Sequence, residues 1–233
     1  MPQLRAQFVL FDGFDPLDVV APFEALTAGS GFLGGELAVE LVSANGPGVV
    51  RSGTPQLTLT AVSMLDPEAP GYLLVPGAVG PVDGDPDAGD ETIPVLLGRF
   101  ASSDAMPLIR RALDNLDITV VAYCGGSLAL AMAGLLEGRT ATTHALGIEL
   151  LDATGVTAVR ARVVDDGDLV SGGGVTSGLD VALYLLERDF GSHTAHSVEE
   201  LFEYERRGTP WKSERPLAGR LPNTRTAGER TSA

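Results

Sequence analysis

The sequence is poor in cysteine, lysine and aromatic residues. Its 233 residues include a single cysteine, Cys124, which excludes an internal disulfide and any metal site built from several thiolates. Positive charge is also scarce: 16 Lys and Arg residues face 31 Asp and Glu residues, the net charge is -15, and Lys212 is the only lysine. Such an acidic chain is a poor candidate for binding nucleic acid or an anionic membrane, because phosphate contacts need a basic patch.

Long apolar runs are missing as well. No run approaches the roughly 20 residues needed to cross a bilayer, and the N-terminal residues lead directly into a strand-like segment without the regions of a signal peptide. Hydrophobic residues make up 44% of the chain and charged residues 20%, as in ordinary globular domains. We therefore expect a soluble, cytoplasmic protein with a substantial core.

Strand-like and helix-like segments alternate along the chain, which predicts an α/β fold with a mostly parallel central sheet. A helix is predicted over residues 17–28, with an irregular first turn or a late start because Pro22 lies inside it. A second helix, over residues 93–113, is expected to break near Met106 and Pro107. We predict one domain over residues 1–205, followed by a polar, poorly ordered tail over residues 206–233.

The main functional signal is the run ITVVAYCGGSLALAMAGLL at residues 118–136. An apolar strand ends at Cys124 and a helix begins at once, which is the pattern of a nucleophile elbow at the carboxyl end of a sheet. Ala122 and Gly126 are the small residues that let strand and helix pack closely. A helix N-terminus favours the thiolate, and the Gly125 N–H can hold a developing oxyanion. The pattern leaves open a buried structural cysteine.

Residues 122–147, AYCGGSLALAMAGLLEGRTATTHALG, resemble the elbow region of the ThiJ/PfpI superfamily, which is related to class I glutamine amidotransferases. Three further stretches agree with that superfamily in order and spacing: FVLFDGFDPLDVVAPFEAL, LLVPGA and VVDDGDLVSGGGVTSGLDVAL. The resemblance implies a flavodoxin-like three-layer sandwich, a homodimer, and a small-molecule substrate. It implies neither a cofactor nor a metal, and His193 and His196, which share a helix face, have no evident third ligand.

Within the superfamily the chain is most similar to isonitrile hydratase-like members, through the segment LDVVAP that contains Asp18. The resemblance implies that Asp18 sits against Cys124 as an acid, that His144 lies nearby, and that N–H groups at Gly77 and Ala78 complete the oxyanion site. From the residues alone, Asp18 is better explained as a helix cap or dipole partner, and His144 is equally well explained as a structural residue. The chain departs from these members at Gly125, where they carry Thr, and at Ala145, where they carry Trp.

The implied activity is cysteine-dependent conversion of an isonitrile to an N-substituted formamide. One alternative is glyoxalase or deglycase chemistry on α-oxoaldehydes, where relatives usually carry glutamate at the position of Asp18. The other is a non-catalytic ligand-sensing domain like those of AraC-type regulators. Because fewer than thirty residues follow the last predicted helix, direct DNA binding is not expected.

Overall fold

The computed structural model describes residues 3–215, which form alternating strands and helices. The strands are β1 (Leu4–Val9), β2 (Leu37–Ser43), β3 (Gly48–Arg51), β4 (Thr58–Ala61), β5 (Ser63–Met64), β6 (Gly71–Val75), β7 (Ile118–Tyr123), β8 (Thr140–Ala141), β9 (Thr157–Ala158), β10 (Val163–Asp165), β11 (Leu169–Gly172) and β12 (Trp211–Lys212). The helices are α1 (Pro16–Phe32), α2 (Ile93–Ala101), α3 (Ala105–Asp114), α4 (Gly125–Met132), α5 (Ile148–Asp152), α6 (Ser177–Phe190) and α7 (Ser192–Phe202).

Eight of these strands form one sheet in the order β12-β10-β11-β7-β6-β1-β2-β5. All neighbouring pairs are parallel except β10 and β11. The central strands β6 and β7 are buried along their whole length, which explains their uninterrupted apolar sequences. The predicted mostly parallel α/β fold is therefore confirmed.

Two hydrophobic clusters cover the two faces of the sheet. On one face β7 contributes Val121 and Tyr123, which pack with residues of α1, α6 and α7. On the other face Ile118, Val120 and Ala122 of the same strand pack with residues of α2, α3, α4 and α5. This alternation follows from the period of two along a strand. The alternation places Tyr123, the residue before Cys124, on the face of the sheet that α1 and α6 cover.

Two helices differ in detail from their predictions. Helix α1 begins at Pro16 and continues through Pro22, because Asp15 caps it by accepting a hydrogen bond from the Leu17 N–H at 2.9 Å. The predicted late start was wrong. The predicted helix over residues 93–113 is broken as expected, but the break falls at residues 102–104, before Met106.

The predicted domain end at residue 205 needs correction. The guanidinium of Arg206 pairs with Glu187 of α6 and Glu199 of α7, and the Arg207 N–H donates to Asp180 Oδ1 at 2.7 Å. Strand β12 then extends the sheet beside β10. Polar pairs rather than apolar periodicity hold this segment, so the hydrophobic pattern did not reveal it. The rest of the predicted tail, residues 216–233, lies outside the described residues.

None of the helices within residues 3–215 is both long and apolar enough to cross a membrane.

The buried side chain of Arg188 connects α6 to the sheet through hydrogen bonds. Its side chain, 8% exposed, donates to Thr119 Oγ1 at 3.1 Å, to Gly167 O at 3.2 Å and to the Asp189 carboxylate at 2.9 Å. Asp189 also accepts a 2.6 Å hydrogen bond from the Tyr72 hydroxyl. The network thus joins β6, β7 and α6 through one cation.

We expect Arg188→Met to lower the free energy of unfolding by about 3–5 kcal/mol, because it leaves Asp189 buried without its cation. Arg111→Met is the matched control, since Arg111 and Glu68 form an exposed pair at 2.7 Å and its loss should cost under about 1 kcal/mol. Urea denaturation measures both. Equal losses in the two variants would show that the buried network adds nothing beyond a surface pair.

Candidate active site

Cys124 is the single residue that connects the end of β7 to the start of α4. Its backbone has φ 48° and ψ -125°, a left-handed conformation that costs a non-glycine residue roughly 1–3 kcal/mol. The turn is held by its own hydrogen bonds: the Cys124 N–H donates to Gly172 O at 3.0 Å and Gly173 O at 2.9 Å. Its carbonyl accepts from the Thr143 hydroxyl. The strained turn therefore has the strand-turn-helix geometry that the sequence pattern predicts.

The elbow packs against the end of the neighbouring strand. A β-carbon added at Gly126 would lie 2.4 Å from Val75 O and 2.8 Å from Pro76 O, which are backbone atoms. Only glycine allows this approach. Ala122 is fully buried on the opposite side, among the residues that α4 covers.

Four predicted site residues converge at Gly77. A β-carbon added there would lie 2.7 Å from Gly125 N, 3.0 Å from Asp18 Oδ2 and 3.2 Å from Cys124 Cβ. The Gly77 N–H donates to Asp18 Oδ2 at 2.8 Å. The structure thus brings the carboxyl of α1 and the thiol of the elbow together around the turn that follows β6.

Ala78 lies next in this turn, opposite Phe14 in an antiparallel bridge. The hydrogen bonds of the bridge are made by its neighbours, from Asp15 N–H to Gly77 O at 2.8 Å and from Val79 N–H to Gly13 O at 3.2 Å. In such a non-hydrogen-bonded pair the two N–H groups point away from each other. The Ala78 N–H therefore faces away from Phe14, to the side of β6 on which β7 ends.

Asp18 is fully buried in the first turn of α1. Burial, reinforced by the negative charge of Asp15, raises the pKa of Asp18 to about 8, although the Gly77 N–H acts in the opposite direction. At neutral pH the carboxyl is therefore protonated. Because Oδ2 accepts from Gly77, the proton belongs on Oδ1, which has no hydrogen-bond partner within residues 3–215.

The state of Cys124 differs from the expectation of a resting thiolate. The thiol is only 7% exposed, and burial together with the negative charges of Asp18 and Asp15 raises its pKa above the ordinary value. The Gly125 N–H lowers the pKa, as a helix N-terminus should, but by less. Cysteine and carboxyl therefore both rest uncharged, and a negative charge on Asp18 opposes ionisation of the Cys124 thiol.

His144 occupies the loop beside the elbow. Its Nδ1 accepts a hydrogen bond from the Leu146 N–H at 3.2 Å, which caps a short 3-10 helix (Ala145–Gly147). Since Nδ1 accepts, the ring proton of the neutral imidazole is on Nε2. That side of the ring faces Gly174, where an added β-carbon would lie 3.4 Å from His144 Cδ2. The contacts of His144 are thus those of a loop anchor.

A cavity of about 240 Å³ opens next to the elbow. Two of the residues that line it, Thr143 and Gly173, hydrogen-bond the Cys124 backbone, and Ala145 and Arg160 line it too. A larger groove of about 710 Å³ lies between α6, α7 and residues 203–210. The described lining of neither cavity includes Cys124, Asp18 or His144. The smaller cavity adjoins the elbow through Thr143 and Gly173, whereas the larger groove has no such contact, so we place the candidate site beside the smaller cavity.

Two residues near the site were not anticipated from the sequence. Asp15 caps α1, and its charge raises the pKa values of both Asp18 and Cys124. The dipeptide Asp15-Pro16 is a helix-start signal that could have revealed it. Tyr123 is fully buried on the α1 side of β7, and strand alternation next to Cys124 is the signal that could have placed it there.

Several known proteins resemble this chain in sequence and in fold. A profile of the DJ-1/PfpI family matches residues 98–188. The isonitrile hydratase of Pseudomonas putida is 32% identical over 203 residues, which cover 86% of this chain and 78% of that enzyme. The chain belongs to the DJ-1/PfpI family. The resemblance read from the sequence motifs is thereby confirmed at the level of the family.

Two further comparisons concern the fold of this DJ-1/PfpI domain and its range of uses. A ThiJ/PfpI family protein from Pseudomonas syringae superposes with a TM-score of 0.71 over 89% of this chain and 78% of its own, at 22% identity. The HTH-type transcriptional regulator CdhR of Pseudomonas aeruginosa is 28% identical over 84% of this chain. This chain spans 53% of the regulator. The family therefore includes proteins named as enzymes and proteins named as regulators.

The close approach at the elbow predicts unequal effects for two adjacent glycines. Gly126→Ala should lower the free energy of unfolding by about 2–3 kcal/mol, because its β-carbon meets backbone oxygens that cannot move aside. Gly125→Ala is the matched control, since its β-carbon would meet the end of the flexible Leu97 side chain at 2.9 Å. We expect a loss under about 1 kcal/mol there. Urea denaturation of both variants checks this, and a larger loss at Gly125 would refute the packing argument.

The buried carboxyl predicts a pH-dependent stability difference. Because the pKa of Asp18 rises from 3.8 to about 8 on folding, its contribution is fully present below pH 4 and is lost as the pH rises through 8. Wild type should therefore lose stability relative to Asp18→Asn between pH 4 and 8, by up to about 1.4 kcal/mol per pH unit. Urea denaturation across this range measures the difference. Exposed Asp117→Asn is the control, and a pH-independent difference for Asp18→Asn would mean that Asp18 is ionised in the fold.

Proposed function

We propose that this protein is a cysteine-dependent hydratase that converts an isonitrile to an N-substituted formamide. One observation carries the proposal: the buried, protonated Asp18 carboxyl and the Cys124 side chain meet around Gly77, with the Gly125 N–H beside them. The likeness to the Pseudomonas putida isonitrile hydratase supports the choice of substrate class.

The first half of the reaction uses the neutral pair. The sulfur of Cys124 attacks the terminal carbon of the isonitrile while Asp18 donates its proton to that carbon. The thiol proton passes to the carboxylate that forms, so Asp18 ends the step protonated again. The product is a thioimidate, R–N=CH–S–Cys124. A raised pKa suits this role, because Asp18 has a proton to give at neutral pH.

The second half releases the formamide. Water adds to the carbon of the thioimidate, the C–S bond breaks, and the two protons of water end on the nitrogen and on the sulfur. The product is R–NH–CHO, and Cys124 is again a thiol. We assign to the N–H groups of Gly125 and Ala78 the stabilisation of negative charge on the added oxygen.

The two departures from isonitrile hydratase-like members bear on the shape of the site. At Gly125 the methyl end of Leu97 fills the space that a β-carbon would need, so this chain replaces the expected hydroxyl by an apolar wall. Ala145 lines the 240 Å³ cavity, where the bulky ring of those members is absent. We infer a substrate with a larger apolar group than a tryptophan-lined cavity would accept. We assign His144 a structural role, anchoring the loop that carries Ala145.

A ligand-sensing domain is the second candidate. The low exposure of Cys124, 7%, and the raised pKa of its thiol favour an elbow that binds without reacting. The likeness to the regulator CdhR over 84% of this chain fits the same interpretation. In that case the cavity would bind a small molecule, and turnover would not be observed.

Turnover of n-butyl isonitrile, followed as formamide by NMR, tests the proposal. Cys124→Ala should reduce kcat/KM by about 10³-fold or more, since the covalent step is lost. Asp18→Asn should reduce it by about 10²–10⁴-fold, since it removes the acid while keeping an acceptor for Gly77. His193→Ala, on the exposed surface of α7, is the control and should behave as wild type.

Methylglyoxal is the comparison substrate. Turnover of methylglyoxal but not of the isonitrile would replace the proposal by glyoxalase or deglycase chemistry. Full isonitrile turnover by Cys124→Ala would exclude the covalent mechanism. Absence of turnover on both substrates, with saturable binding of a small molecule detected by calorimetry, would favour the sensing domain.

A further inference from the structure

Buried polar atoms without partners are concentrated near the candidate site. Within residues 3–215 four such side-chain atoms occur: Asp18 Oδ1, Tyr123 OH, Ser177 Oγ and Glu40 Oε1. Glu40 lies on β2, and its Oε1 is 3.4 Å from an Arg5 nitrogen. The other three belong to α1, β7 and α6, which pack together beneath Cys124. A buried polar atom left without a hydrogen bond is costly, so three in one layer call for an explanation.

Tyr123 and Ser177 are close neighbours. Tyr123 projects from the end of β7 toward α6, and Ser177 is the first residue of α6; both are fully buried. A β-carbon added at Gly172, on the adjacent strand, would lie 2.8 Å from Ser177 Oγ and 3.2 Å from Tyr123 Cδ1. Both side chains therefore pack against Gly172 of β11.

Asp18 reaches this layer from α1. The start of α6 packs on α1 at Pro22, whose Cδ would lie 3.1 Å from a β-carbon added at Gly178. Asp18 is one helical turn before Pro22 and so lies on the same side of α1. Burial raises the pKa of Tyr123, and the charge of Asp18 raises it further, which agrees with a phenol that lies near the carboxyl.

One internal water molecule is the simplest ligand that would satisfy all three atoms. Buried waters typically make about three hydrogen bonds to polar groups that lack other partners. The two hydroxyls can each donate or accept, and Asp18 Oδ1 can do either according to its protonation. Such a water can accept a hydrogen bond from the protonated Asp18 carboxyl and donate one to the ionised carboxylate. A group that only donates or only accepts could bond to one of these two forms but not to the other.

We propose that Asp18 Oδ1, Tyr123 OH and Ser177 Oγ bind one internal water molecule, and that Tyr123 is a positioning residue that directs the Asp18 proton. With Oδ2 fixed by Gly77, this network decides where the proton on Oδ1 points. The inference rests on the acid role of Asp18 in the proposed function, but not on which substrate is used. Its test therefore uses Cys124 itself as the reporter.

The first experiment is the pH dependence of Cys124 alkylation by iodoacetamide. The titratable groups that face Asp18 are Asp15 on α1 and Cys124 and Tyr123 at the end of β7. Asp18→Asn identifies the inflection that belongs to Asp18, because the variant lacks it. Tyr123→Phe and Ser177→Ala each remove a donor that stabilises the anion, so this inflection should move upward by about half a pH unit or more.

Tyr72→Phe is the matched control for the alkylation profile. Tyr72 is equally buried in the neighbouring strand β6, but its hydroxyl bonds to Asp189 at 2.6 Å, away from the site. It should lower stability and leave the inflection in place. An unchanged inflection in both Tyr123→Phe and Ser177→Ala would overturn the proposal. If Tyr123→Phe fails to fold, Ser177→Ala alone decides.

The second experiment is a double-mutant cycle on unfolding midpoints in urea. If both hydroxyls hold one water, removing either releases it, so the double variant should lose little more than the worse single variant. Additive losses, or single variants as stable as wild type, would mean that no water is shared. Neither experiment needs isonitrile turnover. Both would therefore still test the water-binding network if the proposed activity were not observed.

Discussion

The close approach of two backbone segments shapes everything else in this protein. The turn after β6 and the first residues of α4 touch through glycines, with Gly126 against Val75 O and Gly77 against Gly125 N. Parallel strands that end side by side make such an approach available, and only residues without side chains can use it. Because of this contact, Cys124 is forced into a left-handed conformation and lies next to the N–H that binds Asp18. The backbone strain at Cys124 and the hydrogen bond from Gly77 to Asp18 therefore both occur at the close approach of these two segments.

Charge at the site follows from what surrounds it. Several arginines within residues 3–215 pair with carboxylates elsewhere, as in Arg139 with Asp166 at 2.7 Å and Arg188 with Asp189 at 2.9 Å. Within residues 3–215 no cation forms an ion pair with Asp18, and the charge that raises its pKa is another carboxylate, that of Asp15. A buried acid in such surroundings keeps its proton. The site consequently differs from one that activates cysteine with a neighbouring cation, and it suits reactions that need an acid and a nucleophile together.

Membership of the DJ-1/PfpI family explains the scaffold, whereas individual buried residues set the shape and polarity of the candidate site. Leu97 occupies the space beside Gly125, and Tyr123 puts a buried hydroxyl directly before Cys124. Both lie within the packed layers rather than at the surface. Differences of this kind change the polarity and shape of a site without changing the fold, which is how one scaffold can carry enzymes and regulators. The homodimer inferred from the resemblance stays a prediction.

Local chemistry in the sequence determined much of this protein. Apolar runs predicted β6 and β7, and the order strand-cysteine-glycine-helix predicted the turn at Cys124. That Asp18 lies beside Cys124 was implied only by the family resemblance of the motif around Asp18. The sequence did not indicate that residues 206–215 complete the sheet, because polar contacts such as Arg206 with Glu187 have no periodic signature. Nor did it indicate the resting protonation of Cys124. The helix N-terminus favours a thiolate locally, but burial and the charges of Asp15 and Asp18 act through space and are stronger. Only the tertiary structure decides how far a group lies from water and from other charges, and those distances fix its pKa.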